Sequence, residues 1–179
     1  MVAAMHEYKE TIYRGRVVTL KLLRTTGPRG PFTVEIVEHP GAVVILPFLN
    51  QSEVVVIRQL RHAVGEELIE LPAGTLERGE TPRECALREL EEETGYKAGK
   101  IEYLGSFYAS PGYCTELLHA FVARDLRKGE TRLDLDEEIT VGVMSFEKLV
   151  ELARSGAIKD AKTLATLALY VFKHLSCYD

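Results

Sequence analysis

Amide side chains are almost missing from this chain: Asn50, Gln51 and Gln59 are the whole set. Charged residues make up 27 % of it. Few thermolabile amides beside many Glu, Lys and Arg is a bias of proteins from hot environments, so a thermophilic source is expected. Cysteine is as sparse, with Cys85, Cys114 and Cys177 only. The number is odd, and the spacing suits neither a disulfide framework nor a zinc site. Reduced thiols in a cytoplasmic setting are expected, with Cys85 packed in a core. No apolar run reaches membrane-spanning length, and AVVILPFL (Ala42 to Leu49) is strand-sized. The opening MVAAMHEYKE carries an early Glu and no long apolar core, so no secretory signal is expected. A basic tract is also lacking, and the formal net charge is −5. That balance argues against nucleic acid as a partner. It leaves room for a small phosphorylated substrate met by a metal ion and a few arginines. At 179 residues and 46 % hydrophobic, the chain can bury a proper core.

What is abundant is acid, and one stretch concentrates it. Gly74 to Tyr96 reads GTLERGETPRECALRELEEETGY. Thr81 can cap a helix, Pro82 suits its first position, and Glu84 closes a capping box. Gly95 can end the helix in a left-handed conformation. A helix over about Pro82 to Thr94 is therefore predicted, with Ala86, Leu87, Leu90 and Thr94 facing a core. Glu89 and Glu93 are i,i+4 neighbours at the edge of that face, and Glu92 lies beside Glu89 at i,i+3. Like charges at these spacings cost free energy. Glu92 and Glu93 also sit at the negative end of the macrodipole. A divalent cation resolves both conflicts, because carboxylate oxygens suit Mg²⁺ or Mn²⁺, with water and phosphate filling the other positions. A solvated acidic face is the alternative meaning of such a run. Arg88 lies between the carboxylates and would hold a glutamate, Glu92 or Glu80, in a ligand-ready rotamer. Gly74 allows close approach of the backbone, so a carbonyl such as that of Ala73 can face the metal.

Gly74, Glu80, Arg88, Glu89, Leu90, Glu92, Glu93 and Gly95 stand at offsets that resemble the signature of the Nudix hydrolases. Seven fixed identities at set spacing arise by chance at roughly 10⁻⁸ to 10⁻⁹ per start position, which removes coincidence as an explanation. Only Tyr96 departs, standing where the family more often has an aliphatic residue. The resemblance implies an α/β fold of the Nudix type: an α/β/α sandwich with a mixed sheet, here preceded by a small antiparallel β unit. It implies hydrolysis of a nucleoside diphosphate linked to another moiety. It also implies Mg²⁺, or Mn²⁺ or another divalent cation in its place, held by Glu89, Glu92, Glu93 and the Ala73 carbonyl. Glu92 and Arg88 count with the catalytic group as well.

Pro111 lies fifteen residues past Tyr96, within SPGYCTE (Ser110 to Glu116). That distance, and RQLRHAVGEELIELPAG (Arg58 to Gly74) ahead of the signature, are similar to the ADP-ribose pyrophosphatase branch of the family. The branch implies conversion of ADP-ribose to AMP and ribose 5-phosphate, with Pro111 in the substrate site. It implies that Arg58 or Arg61 meets the diphosphate or terminal ribose, where a guanidinium offers bidentate donors. Glu70 and Glu116 would bond ribose or adenine groups, or support the metal. A glutamate of the acidic loop LDLDEEI (Leu133 to Ile139) would assist the catalytic water, Glu137 being first choice and Glu138 second. The branch also implies a homodimer in which the N-terminal unit completes the partner's adenine site, with Tyr8, Tyr13 and Phe32 as stacking groups. Two other readings stand beside this one. The same fold could act on another nucleoside-diphosphate derivative, such as a sugar nucleotide, a dinucleoside polyphosphate or an oxidised nucleotide. A non-catalytic nucleotide-binding module is the reading from another class, and the intact Arg88-Glu89 and Glu92-Glu93 pairs weigh against it.

Along the chain, residues 1–40 read as the N-terminal β unit, with VVTLKLLRT and FTVEIVEH flanking the turn GPRG. Residues 41–179 read as the hydrolase domain. In it AVVILPFL and EVVVIRQL have the near-continuous apolar character of strands buried on both faces. ELIELPAG leads into the signature, and KIEYLGSFYAS, ELLHAFVARDL and ITVGVMSF are further strands. Two helices close the chain: FEKLVELARSG, capped by Ser145 and ended by Gly156, and Asp160 to Leu175.

Overall fold

The computed structural model describes residues 8–133 and 138–174. The chain forms two compact units, Met1–Gly41 with Tyr108–Leu117, and Ala42–Phe107 with Leu118–Asp179. In the first, β1 (Tyr8–Arg14), β2 (Thr19–Gly27) and β3 (Gly30–Glu38) form an antiparallel sheet in that order. The β2–β3 hairpin pairs Gly27 with Gly30, and Gly30 takes φ 114°, a conformation glycine reaches without steric cost. The segment after Tyr108 joins this unit. Val37 donates its N–H to the Tyr113 carbonyl at 2.8 Å, and Thr115 donates its own to the Val37 carbonyl at 3.0 Å. The sequence reading did not place Ser110 to Glu116 with the N-terminal strands, because nothing local marks a pairing so distant along the chain.

The second unit is built on β4 (Ala42–Pro47), a run of apolar residues buried throughout. Its neighbours are β7 (Ala73–Thr75), antiparallel, and β9 (Leu117–Lys128), parallel, with β8 (Tyr96–Tyr108) beyond β9. The sheet is therefore mixed. A second sheet holds β10 (Ile139–Ser145), β5 (Glu53–Arg61) and β6 (Glu66–Glu70), all antiparallel. Side chains alternate across β4 with the two-residue period of a strand. Val43 and Ile45 pack with Phe121 and Ala123 of β9 against Cys85, Ala86 and Leu90 of α1 (Pro82–Thr94). Val44 and Leu46 face Val54 and Val56 of β5, Leu149 of α2 (Phe146–Arg154) and Leu167 of α3 (Ala161–His174). Helix α1 thus covers one face, and α2 and α3 lie on the other. This is the α/β/α sandwich with a mixed sheet that the sequence implies. Among the described residues no helix is long and apolar enough to cross a membrane.

Two local details are set by the structure. ELIELPAG, which leads into the signature, spans two strands, β6 and β7, separated by Leu71 and Pro72, because proline has no N–H to give a ladder. Helix α2 ends at Arg154 with Ser155 as its cap, so Gly156, at φ 76°, lies one residue beyond it.

Candidate active site

The signature helix forms as its local chemistry dictates. Thr81 caps it in an extended conformation, and its side chain accepts from the Glu84 N–H while the Glu84 carboxylate accepts from the Thr81 N–H. Pro82 opens it, and Gly95, at φ 70°, closes it by donating to the Glu91 carbonyl at 2.8 Å. The buried face is Cys85, Ala86, Glu89, Leu90, Glu93 and Thr94. Leu87 is only half-buried, and two glutamates take the place in the interior that the apolar pattern reserved for it. Full burial of a side chain like Leu90 is worth about 1.5–3 kcal/mol. An i,i+4 repulsion costs a few tenths. The apolar face therefore holds the carboxylates together against their repulsion.

Arg88 is the hub of the site. Its Nε and Nη2 donate to the two oxygens of Glu80 at 2.8 and 2.9 Å. Nη1 donates to Glu89 at 2.8 Å and Glu92 at 3.0 Å, and Nη2 also reaches the Thr75 carbonyl at 3.3 Å. All five N–H donors of the guanidinium are matched by oxygens. Of the two partners that the sequence offered Arg88, Glu80 and Glu92, the structure supplies both. The hydrogen-bonded Arg88 guanidinium holds the Glu80 carboxyl down at about 2 against an ordinary 4.5, and Glu80 raises Arg88 in turn. The unfolded chain takes up this proton near pH 4.5, while the folded chain does so only near pH 2. Stability contributed by the pair is thus present above pH 4.5 and lost as pH falls from there towards 2. Urea midpoints measured from neutral pH downward should show a shallower acid limb in Glu80→Gln than in the parent. Parallel limbs would mean that other groups govern acid unfolding.

Gly74 lies directly beneath Glu89. A Cβ on Gly74 would stand 1.9 Å from the Glu89 carboxyl carbon, so this glycine makes room for a carboxylate rather than for a turn. One residue earlier, the Ala73 N–H donates to Glu93 Oε2 at 2.9 Å. A strand residue points its N–H and C=O to the same side, so the Ala73 carbonyl lies on the side of Glu93. Cys85 is fully buried, and its burial, then the charges of Glu80 and Glu89, push its thiol well up. It is inert packing, as its sequence context implies.

Arg61 and Glu70 meet each other. Arg61 Nε and Nη2 donate to the two Glu70 oxygens at 2.8 and 2.6 Å, and the Glu70 side chain is 1 % exposed. Burial pushes the Glu70 carboxyl up. The bonds from Arg61 and the charge of Lys162 outweigh that, and the net position is below the ordinary value. Glu70 is therefore an internal counter-ion. Arg58 sits an odd number of residues from Arg61, which turns it to the opposite face of β5. It is exposed and pairs loosely with Glu67 at 3.6 Å. Arg61, by contrast, feels the charge of Glu93. Glu138 begins the return into β10, its carbonyl accepting from Leu60 at 3.3 Å, whereas Glu137 lies outside the described residues. Pro111 and Glu116 belong to the first unit, where Tyr13 and Phe32 are exposed. The side chain of Tyr8 lies outside the described residues. Sequence reasoning missed Asp160, Lys162 and Thr163, which bond around Glu70 and Leu71. The only signal was the helix cap of Asp160.

The donor set is oxygen alone, the hard kind that suits Mg²⁺ or Mn²⁺. Glu80, Glu89, Glu92 and Glu93 gather four formal negative charges around the one guanidinium of Arg88, with the charge of Arg61 also reaching Glu93. The charge and the chemistry fit a divalent cation. The side chains do not share one focus: among the described residues no three His, Cys, Asp or Glu groups stand at metal-binding spacing. Glu89 and Glu92 turn to Arg88, and Glu93 turns to the Ala73 N–H.

Comparison with known proteins gives the site a context. Residues 38–167 match the model of the NUDIX domain. An ADP-ribose pyrophosphatase of Bacillus subtilis is 41 % identical over 158 residues, 87 % of this chain and 85 % of that one. A methanol dehydrogenase activator of Bacillus methanolicus is 40 % identical over the same shares. A GDP-mannose pyrophosphatase of Salmonella arizonae is 40 % identical over 144 residues, 75 % of each chain. The crystal structure of an ADP compounds hydrolase, 22 % identical, superposes with a TM-score of 0.82 over 95 % of this chain and 92 % of that one, which establishes the fold.

Proposed function

The chain belongs to the Nudix family and is a Nudix hydrolase, and on that footing we propose that it cleaves the diphosphate of ADP-ribose to AMP and ribose 5-phosphate. The observation that carries this is the buried carboxylate pair Glu89 and Glu93 beside a fully bonded Arg88, in a chain 41 % identical to an ADP-ribose pyrophosphatase. A divalent cation held by Glu89, Glu93, Glu92 and the Ala73 carbonyl would neutralise the diphosphate and acidify the attacking water. Arg88 keeps the carboxylates oriented for that task. Arg61, on the face of β5 that Glu70 shares, is better placed than Arg58 to bind the diphosphate. The proton of the water goes to a carboxylate of the acidic loop, Glu137 or Glu138. Water oxygen bonds to one phosphorus, the bridging P–O bond breaks, and each product leaves with one phosphate. Pro111 and Glu116 shape the recognition of ribose or adenine. Exposed Tyr13 and Phe32 support a homodimer built through the first unit, and the free thiols of Cys85 and Cys114, among the described residues, support a reducing, cytoplasmic setting.

A GDP-mannose pyrophosphatase at 40 % identity favours a second reading, a different sugar nucleotide on the same machinery. The wider match, 87 % against 75 % of the chain, favours ADP-ribose. A product assay with Mg²⁺ over ADP-ribose, GDP-mannose, NADH, diadenosine polyphosphates and oxidised nucleoside triphosphates decides. ADP-ribose should give the highest kcat/KM. A preference for GDP-mannose would retain the metal helix and remove the ADP-ribose assignment, while no hydrolysis at all would leave a binding module.

A further inference from the structure

The N-terminus of α3 reaches across the chain to Glu70 and Leu71, at the entry to β7 with its Ala73 and Gly74. Asp160 caps the helix, its Oδ2 accepting from the Thr163 N–H at 2.9 Å and the Thr163 hydroxyl at 2.6 Å. Thr163 Oγ1 in turn accepts from the Leu71 N–H at 2.9 Å, and Thr163 is fully buried. Lys162 Nζ donates to Asp160 Oδ1 at 2.9 Å and to Glu70 Oε2. The Lys162 and Asp160 side chains are 16 % and 13 % exposed. Four charges, Asp160, Lys162, Glu70 and Arg61, alternate in sign along one chain of contacts and cancel. The same clamp continues on the backbone, because the Pro72 carbonyl accepts from Ile45 at 2.9 Å and the Ala73 N–H is held by Glu93.

A single buried carboxylate facing one arginine could still rotate or take a proton. Lys162 fills the remaining side of Glu70 Oε2 and removes both freedoms, so Glu70 presents a fixed, ionised fork to Arg61. Arg61 then spends Nε and Nη2 on Glu70, and among the described residues Nη1 is left for another acceptor. Half-buried as it is, that group is an arginine whose position has been set beforehand, and an arginine held in place loses less entropy on meeting a phosphate.

We propose that Lys162 and Asp160 are positioning residues for diphosphate recognition, acting through Glu70 to fix the guanidinium of Arg61. This rests on the reading that Arg61 meets the substrate diphosphate. Their reach also means that both Glu70 oxygens are engaged from inside the protein.

The test is a double-mutant cycle on the dissociation constant of inorganic diphosphate with Mg²⁺, measured by calorimetry, with KM and kcat for ADP-ribose alongside. Lys162→Met should weaken diphosphate binding about tenfold and raise KM alike, with kcat within about twofold, the size of one lost charge-assisted bond. Lys162→Arg should restore most of the affinity. Asp160→Asn keeps the helix cap, because Asn caps as well as Asp. It should weaken binding in the same direction, and it carries the test should Lys162→Met fail to fold. In an Arg61→Ala background, Lys162→Met should add nothing further. Additive losses in that background, or unchanged affinity in both Lys162→Met and Asp160→Asn while Arg61→Ala binds weakly, would overturn the proposal alone. Unchanged affinity in Arg61→Ala itself would remove the reading of Arg61, and the positioning role with it.

Discussion

Glu93→Gln should lower metal-dependent turnover by about 10²- to 10³-fold while leaving the fold in place. Glutamine conserves the volume of a side chain that is 2 % exposed, and its carbonyl oxygen can still accept from the Ala73 N–H. What it removes is one formal charge from the carboxylates around Arg88. Metal-assisted stabilisation of a transferring phosphate is worth several kcal/mol, and each 1.36 kcal/mol is tenfold in rate. Losing the charge of one proposed ligand should thus cost orders of magnitude. Two measurements separate this from simple damage. The melting midpoint without added metal should stay within a few degrees of the parent, and the rise in midpoint on adding Mg²⁺ should shrink, since a ligand stabilises only in proportion to its affinity for the folded state. Unimpaired kcat at saturating Mg²⁺ would sink the assignment of the signature helix to metal-assisted catalysis.

Helix α1 was readable residue by residue because its determinants are local. Thr81, Pro82, Glu84 and Gly95 each act within one turn of the position they govern, and the structure places its ends where these residues do. Strands β4 and β5 were readable as buried runs, though not their allotment to different sheets, which depends on partners far along the chain. The association of Tyr108–Leu117 with the first unit was hidden for the same reason. Within the site, the contact of Arg88 with Glu80 lay in reach of sequence reasoning because the two flank one helical turn and its loop. The burial of Glu89 and Glu93 was only partly in reach: the helical period puts them at the edge of the apolar face, but how deeply they are covered depends on an opposing surface that the sequence does not give.

Glu70 shows the limit most clearly. From sequence it is a carboxylate near a signature, free to serve ribose, adenine or metal. In the structure it is saturated by Arg61, nine residues back, and by Lys162, ninety-two residues on. Local pattern carries the first separation, as the hairpin of β5 and β6. Nothing in composition or period carries the second. A buried ion pair of this kind also leaves no apolar trace in the sequence, so it is found only when the chain is folded.

Gly74→Ala should abolish most of the activity, about 10²-fold or more, through Glu89 and not through the backbone. The added Cβ would stand 1.9 Å from the Glu89 carboxyl carbon and 2.0 Å from Oε1, distances no real Cβ holds. Either β7 or the carboxylate must move. Gly74 pairs with Val43 of the buried strand β4, and the atoms its Cβ would meet are the far end of a flexible side chain, so the carboxylate is the softer partner. Displacing it breaks the 2.8 Å bond to Arg88 Nη1 and moves the oxygen proposed to hold the metal. A misplacement of about 1 Å at a reacting centre costs around 10²-fold in rate. Because Gly74 does not have a positive φ, alanine meets no backbone strain there. Gly79 supplies the contrast in the turn between β7 and α1: at φ 87° with open space around it, Gly79→Ala should lose stability by about 1 kcal/mol yet leave Glu89 untouched. Gly74→Ala and Glu89→Gln should also be far from additive, since both act on one carboxylate. Full additivity in kcat, or an active Gly74→Ala enzyme, would mean that the glycine serves some end other than making room for Glu89.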